Sequence, residues 1–380
     1  MKIHNSQLRS QISKDNQDTY HIVHVISELV RAGAELFVAR LSKSQRKKDT
    51  RVTIITLGSI ETYIKEELIN NDIDFIELNK NNYYSIGLAL ELRRTVINLS
   101  PDILHTHLFH SQYLVAILSK TIKSVPVFVT TEHSTHNNRR GLLFFKYTDR
   151  LVYSCYRSVF CVSSATKKKL LDWQPFLADR TIIIENGIDL EAISIAQPID
   201  IKDTFGIGGP MALCVGRLFP VKGQDFAIRA LPHIKNLSLM LIGDGPELER
   251  LTALAKAKGV NERVFFLGVR EDVYSFMKTC DIYIQPSRWE GFGLAALEAI
   301  ACGAQVICSD VSGMKELLIP LGARVVSVED EIALAECLMN QINSKLKHKP
   351  VKIDQSFSIK NVADNYLIEY RQLLNYIHRI

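Results

Sequence analysis

The chain has 380 residues, of which 47% are hydrophobic and 23% charged, with a formal net charge of +5. That composition excludes a disordered or disulfide-framed protein, and the length implies two or three domains. Glu298 and Gln305 interrupt the most apolar stretch, 292–308, so no membrane-spanning helix is expected.

Residues 1–20 are polar and lack an apolar core, so no secretory signal is expected. The seven cysteines are odd in number, form no C-x-x-C pair and mostly sit in apolar segments. They suit buried thiols in a reducing cytoplasm better than a disulfide framework or a zinc site. Residues 1–190 carry 25 Lys+Arg against 19 Asp+Glu, whereas the remainder carries 21 against 22. A mildly basic first half suits an anionic acceptor or an anionic membrane surface; it is equally compatible with ordinary solvated charge. No nucleic-acid partner is expected.

Strand patterns fall at 21–26, 51–57, 73–78, 103–107, 125–131, 159–163 and 182–184, with helical patterns between them, including 86–99 and 142–157. After a linker-like stretch at 191–210, short apolar strands recur at 212–216, 237–242, 264–267, 282–285, 305–308 and 324–328. Alternation of this kind predicts an α/β protein with two doubly wound, Rossmann-like domains facing across a cleft. The expected divisions are 1–190, 191–358 and a closing helical stretch within 359–380. Ligands in such sheets bind at the carboxyl ends of strands.

The chemistry concentrates at those ends. Glu290-Gly291-Phe292-Gly293-Leu294 follows a strand and leads into a helix-forming run containing Glu298. The glycines allow a tight turn, and the free N–H groups of a helix start suit a phosphate. Glu298, about one turn in, is placed to accept from a vicinal diol such as ribose, and Glu290 to address a sugar hydroxyl. A Gly-rich turn with a capping carboxylate would look the same.

The Glu290–Glu298 spacing, E-x7-E with G-F-G-L inside it, resembles retaining family-four glycosyltransferases of the GT-B fold. The resemblance implies that Glu298 binds the donor ribose, Glu290 contacts the sugar near the reacting carbon, and the Phe292, Gly293 and Leu294 segment binds the diphosphate. Gly216-Arg217-Leu218-Phe219-Pro220-Val221-Lys222-Gly223 is similar to the family's G-R-L-x-x-x-K-G, in which both cations neutralise the leaving group. By itself an R-x4-K is more often a pair of solvated cations. With Arg217 and Lys222 in that role, the resemblance implies no metal and no cofactor, the nucleotide diphosphate sugar being a co-substrate. Gly243-Asp244-Gly245-Pro246 looks like an architectural turn of the family, and Leu267-Gly268-Val269 like the base-contacting loop, with Val269 as the contact.

In the first half, Asp102-Ile103-Leu104-His105-Thr106-His107 resembles the family's D-x-x-H-x-H strand end, which borders the acceptor cleft; His107 is assigned there. A metal reading of His105 and His107 lacks a visible second ligand cluster. Thr130-Thr131-Glu132-His133 matches the strand end whose His faces the transferred sugar, so His133 joins Glu290, Arg217 and Lys222 as a catalytic candidate. Ala32-Gly33-Ala34-Glu35 is similar to the G-G-A-E loop with Ala at its first glycine, and Gly33 is expected to form a tight turn near the donor. Asn186-Gly187-Ile188-Asp189 resembles the turn that closes the first domain. Asp72-Ile73-Asp74 reads as a loop-to-strand junction rather than a metal motif.

Arg139, Lys146, Arg150 and Arg157 fall on one stripe if 139–157 is helical, beside Phe144, Tyr147, Leu151 and Cys155. Such a helix suits an anionic lipid or a lipid-linked acceptor, or is an ordinary domain helix. The resemblance implies sugar transfer, with retention, from a nucleotide diphosphate sugar to a glycan or lipid-linked acceptor in surface polysaccharide or glycolipid assembly. The setting expected is cytoplasmic, peripheral to the membrane. The alternatives are a nucleotide-sugar epimerase of the same architecture and a catalytically silent binding protein.

Overall fold

A computed structural model describes residues 20–47, 49–78, 82–344 and 351–377. The polar leader before Tyr20 lies outside the described residues. The chain divides into two compact units, Met1–Gly187 with Ile359–Ile380, and Ile188–Ser358. Both are parallel α/β sheets.

Among the described residues the first unit has seven strands: β1 Tyr20–Ile26, β2 Thr50–Thr56, β3 Asp74–Glu77, β4 Ile103–His107, β5 Val127–Glu132, β6 Ser158–Cys161 and β7 Thr181–Ile183. Their order is β3-β2-β1-β4-β5-β6-β7. The order reverses between β1 and β4, where His24 lies opposite His105. Val23, Val25, Leu104 and Val129 are wholly buried, as strands covered on both faces require. The C-terminal helix Ile359–Ile377 belongs to this unit and packs on the helix Gly33–Gln45. It buries Tyr366 and Tyr370.

The second unit has six strands among the described residues: β8 Met211–Val215, β9 Ser238–Ile242, β10 Val264–Phe266, β11 Ile282–Gln285, β12 Gln305–Ser309 and β13 Arg324–Val326. Their order, β10-β9-β8-β11-β12-β13, reverses between β8 and β11. Its core gathers Leu239, Leu241, Ile282, Ile284 and Ile307 from the sheet with Phe226, Leu231, Leu251, Leu334 and Leu338 from the covering helices.

Three expectations need correcting. The stretch 191–210 is not a bare linker: it carries short helices at Leu190–Ile195, capped by the Asp189 carboxylate on Ala192 N–H at 2.9 Å, and at Ile201–Phe205. Six and five residues are too few for a helical period to show in sequence. Nor is 139–157 one helix. A 3-10 turn, Asn138–Gly141, precedes the helix Leu143–Ser154. Gly141 is a poor helix former, and the Asn137 side chain accepts from Arg139 N–H at 3.2 Å. Arg139 is buried on Asp149 at 3.0 Å, and Arg157, past the helix, lies over the Tyr376 ring at 4.4 Å. The cation stripe therefore shrinks to Lys146 and Arg150. Finally, Gly33 opens the helix Gly33–Gln45 as an exposed first residue, with Ala32 extended before it. The chain turns there without a left-handed glycine.

Candidate active site

The switch point of the second sheet collects the expected cations and carboxylates. After β8 the chain runs through Arg217, which is exposed, lies 4.2 Å over the Phe219 ring and pairs with no carboxylate among the described residues. A 3-10 turn, Pro220–Lys222, then presents Lys222. Gly223 follows at φ 68, and a Cβ there would stand 1.9 Å from the Pro286 carbonyl oxygen. That close approach presses the Lys222 turn against the loop after β11. In consequence Lys222 Nζ donates to Glu290 Oε1 at 2.6 Å.

Glu290 is fixed further by Ser287 Oγ at 3.0 Å and Gln285 Nε2 at 3.1 Å. Gln285 Oε1 accepts in turn from Tyr283 O–H at 2.7 Å. Sequence reasoning gave Lys222 and Glu290 separate duties; the fold makes them an ion pair. Gln285, Ser287 and Tyr283 were not foreseen. Their only sequence signal was adjacency to the Gly-rich turn.

The helix Leu294–Ala301 starts at Gly293, whose φ is 87 and which offers no side-chain cap. Its first-turn amides are therefore not claimed by a capping side chain, as an anion site requires. Glu298 sits in this helix, nearly buried, and accepts from Tyr274 O–H at 2.8 Å. The Phe292 ring is 3% exposed, so only its backbone is available to a ligand. Beyond β10, Gly268 accepts from Gly243 N–H at 2.8 Å, and Val269 next to it is exposed.

In the first unit, the β1–β4 switch point holds four histidines. His24, His105 and His107 bring ring nitrogens within 4.8 Å of one another. This overturns the reason given against a metal site, that no further ligand was visible. His24 was missed because strand order, not sequence distance, sets it beside His105. Every ring nitrogen of the three is nevertheless engaged by protein. His24 Nε2 meets Gln45 Oε1 at 2.7 Å and His24 Nδ1 meets His107 Nε2 at 3.0 Å. His107 Nδ1 meets His133 Nε2 at 3.1 Å. His105 reaches the Tyr370 hydroxyl at 2.5 Å and Thr131 Oγ1 at 2.7 Å. Burial lowers His24 and His133 to about 4 and holds His105 and His107 well below the ordinary range, so all four are neutral at pH 7.

Beside His133, Glu132 is buried. Burial alone would raise its pKa, but Arg140 and Arg139, with Tyr153 O–H at 2.6 Å, hold it below the ordinary value.

The model of glycosyl transferases group 1 matches residues 200–355, and that of glycosyltransferase family 4 matches 31–192. The chain is a group 1 glycosyltransferase. An uncharacterised glycosyltransferase of Methanocaldococcus jannaschii is 29% identical over 294 residues, 76% of this chain and 78% of that one. The N-acetylgalactosamine-N,N'-diacetylbacillosaminyl-diphospho-undecaprenol 4-alpha-N-acetylgalactosaminyltransferase of Campylobacter jejuni is 28% identical, covering 77% of this chain and 81% of its own. Among solved structures, Anabaena HepE in complex with UDP and glucose superposes with a TM-score of 0.76 at 19% identity, covering 95% of this chain and all of that one. Sucrose-phosphate synthase of Thermosynechococcus elongatus gives 0.77 at 18% identity, over 94% of this chain and all of its own. The glycosyltransferase thus has the GT-B fold.

Away from the switch points, the glycosyltransferase carries an exposed apolar face. On and before the helix Leu143–Ser154, Leu142, Leu143, Phe144, Tyr147 and Leu151 are 58–75% exposed. Lys146 and Arg150 flank them, and Asp149 on the same helix is buried. Cys155, expected on this face, turns its thiol back to Leu151 O. No described helix is long and apolar enough to cross a membrane.

Proposed function

We propose that this glycosyltransferase moves a hexose from a nucleotide diphosphate sugar to a hydroxyl of a glycan or lipid-linked acceptor, with retention at the anomeric carbon, in surface polysaccharide or glycolipid assembly. The reading is carried by the convergence of Arg217, Lys222, Glu290 and Glu298 at the switch point of one sheet. Arg217 and the two remaining Lys222 donors take the diphosphate oxygens, with the amides at Gly293 and Leu294 beside them. These fixed donors stabilise the departing charge, the service a divalent metal would otherwise supply. Glu298 takes the ribose hydroxyls, Val269 lies toward the base, and Glu290 addresses the sugar. His133, with His107 behind it, addresses a sugar hydroxyl from the first unit. The departing phosphate oxygen accepts the acceptor's proton on the same face as attack, so configuration is kept.

The acceptor is lipid-linked in this reading, and the exposed face at Leu143, Phe144, Tyr147 and Leu151 rests in the interface of an anionic membrane on its cytoplasmic side. The bound UDP and glucose of the Anabaena neighbour and the diphospho-undecaprenol in the Campylobacter relative's name support the donor and acceptor classes. The test is calorimetric titration with UDP- and GDP-sugars, followed by proton NMR of the product's anomeric coupling. An inverted product removes the retaining mechanism. Donor conversion with no acceptor present identifies an epimerase, and binding without turnover a silent binding protein.

A further inference from the structure

Gln45, His24, His107 and His133 form an unbroken hydrogen-bonded row in the first unit, with spacings of 2.7, 3.0 and 3.1 Å. A neutral imidazole carries one N–H and one lone pair, so each link fixes the next. We infer that Gln45 acts as a tautomer lock, setting His133 through His24 and His107 so that it presents an unprotonated Nδ1.

The sense of the row follows from its far end. The Gln45 carbonyl oxygen can only accept, so His24 carries its proton on Nε2. His24 Nδ1 is then a lone pair and must receive His107 Nε2–H. His107 Nδ1 must likewise receive His133 Nε2–H. The last atom, His133 Nδ1, is buried and has no partner among the described residues. It is left able to accept and unable to donate.

The structure sets the Gln45 amide this way round: its carbonyl oxygen, not its nitrogen, meets His24 Nε2 at 2.7 Å, and its buried Nε2 has no partner among the described residues. Gln45, His24 and His107 are each 0% exposed, so no solvent competes for the links among them, and the His133 Nδ1 atom is itself buried. His105 and Thr131 flank the row and complete their own bonds without entering it.

Gln45, His24 and His107 are therefore positioning residues, and the ligand group that His133 receives is a hydroxyl donor. This deepens the proposed role of His133 and rests on it only for what the hydroxyl belongs to. The row itself is tested on ligand-free protein, so the tautomer result stands apart from which sugar, if any, is transferred.

The experiment is selective 15N-histidine labelling with long-range proton–nitrogen correlation, the His133 signal assigned by its loss in His133→Gln. The expected result is a single Nε2–H pattern for His24, His107 and His133. Gln45→Glu, which can only accept, keeps that pattern; Gln45→Leu, which can do neither, loses it at His133 in favour of a mixture. An Nδ1–H pattern for His133 in the unaltered protein overturns the inference. So does an unchanged His133 pattern in a folded Gln45→Leu protein. Should Gln45→Leu fail to fold, loss of the pattern in folded Gln45→Glu would overturn it equally.

Discussion

A lysine ammonium has three donors, and Lys222 uses one on Glu290 while Ser287 and Gln285 hold the same carboxylate oxygen. Removing the ammonium therefore leaves Glu290 placed but leaves the leaving group short of a cation. Lys222→Ala should lower turnover about 100- to 1,000-fold, as loss of one preorganised charge-stabilising donor does elsewhere. Its melting temperature should move little, because the pair is only partly buried and such pairs contribute ~1 kcal/mol or less. A fall of less than threefold would remove Lys222 from the chemistry. At Glu298 the expectation is different in kind. A charged hydrogen bond contributes about 1.5–3 kcal/mol, so Glu298→Ala should weaken donor affinity roughly 10- to 100-fold in calorimetry. Tyr274→Phe, which removes one hydrogen bond from the carboxylate without deleting it, should weaken it less. Equal affinity in Glu298→Ala for every nucleotide sugar would end the ribose assignment.

Elements show which of these features a sequence can carry. Glycines and carboxylates at fixed spacing are local, so the turn at Gly293 and the position of Glu298 on the following helix were legible. Lys222 and Glu290 lie 68 positions apart, and their pairing depends on β8 lying next to β11. His24 and His107 lie 83 apart and depend in the same way on β1 lying next to β4. Strand order is a property of the packed sheet, so neither pairing could be read from spacing. The helix Leu143–Ser154 was legible as amphipathic, but not which side faces solvent: its apolar side is exposed, and Asp149 is buried instead, held by Arg139 and Trp173. Each large apolar side chain removed from water contributes about 1.5–3 kcal/mol, and each cation near an anionic surface about 1 kcal/mol. The apolar side should thus dominate binding to a bilayer. In vesicle sedimentation, Leu143→Ser with Phe144→Ser should abolish binding to anionic vesicles, whereas Lys146→Gln with Arg150→Gln should weaken it and remove its salt dependence. Sedimentation indifferent to all four changes would exclude this helix as a membrane contact.

At the scale of the whole molecule, the buried histidines make stability depend on pH. His21, His24 and His133 titrate at about 4 in the folded protein, against an ordinary 6.5, burial being the main cause in each. The unfolded chain therefore binds more protons between those values. Their contribution is complete above pH 6.5 and is lost as the pH falls toward 4, at up to about 1.4 kcal/mol per pH unit for each histidine. Calorimetric melting should show the midpoint falling through that window. His21→Gln, which keeps a polar group against Thr53 and lies outside the row ending at His133, should flatten the fall. A midpoint constant from pH 7 to 4.5 would contradict the burial of these rings.

The first unit is also split in sequence. Its sheet ends by Gly187, yet the helix that covers Phe160 and supplies the Tyr370 hydroxyl to His105 begins at Ile359, after the whole second unit. A ribosome adding 5–20 residues per second takes roughly 10–40 s to traverse that interval. Throughout it, the part of the first sheet around Phe160 waits for that helix, whereas the second unit, contiguous from Ile188 to Ser358, has all its strands once Val326 is made. The second unit thus has all its elements before the first, which waits for the helix Ile359–Ile377. Synthesis interrupted after Ser358 would then spare the second unit and leave the histidine row incompletely buried.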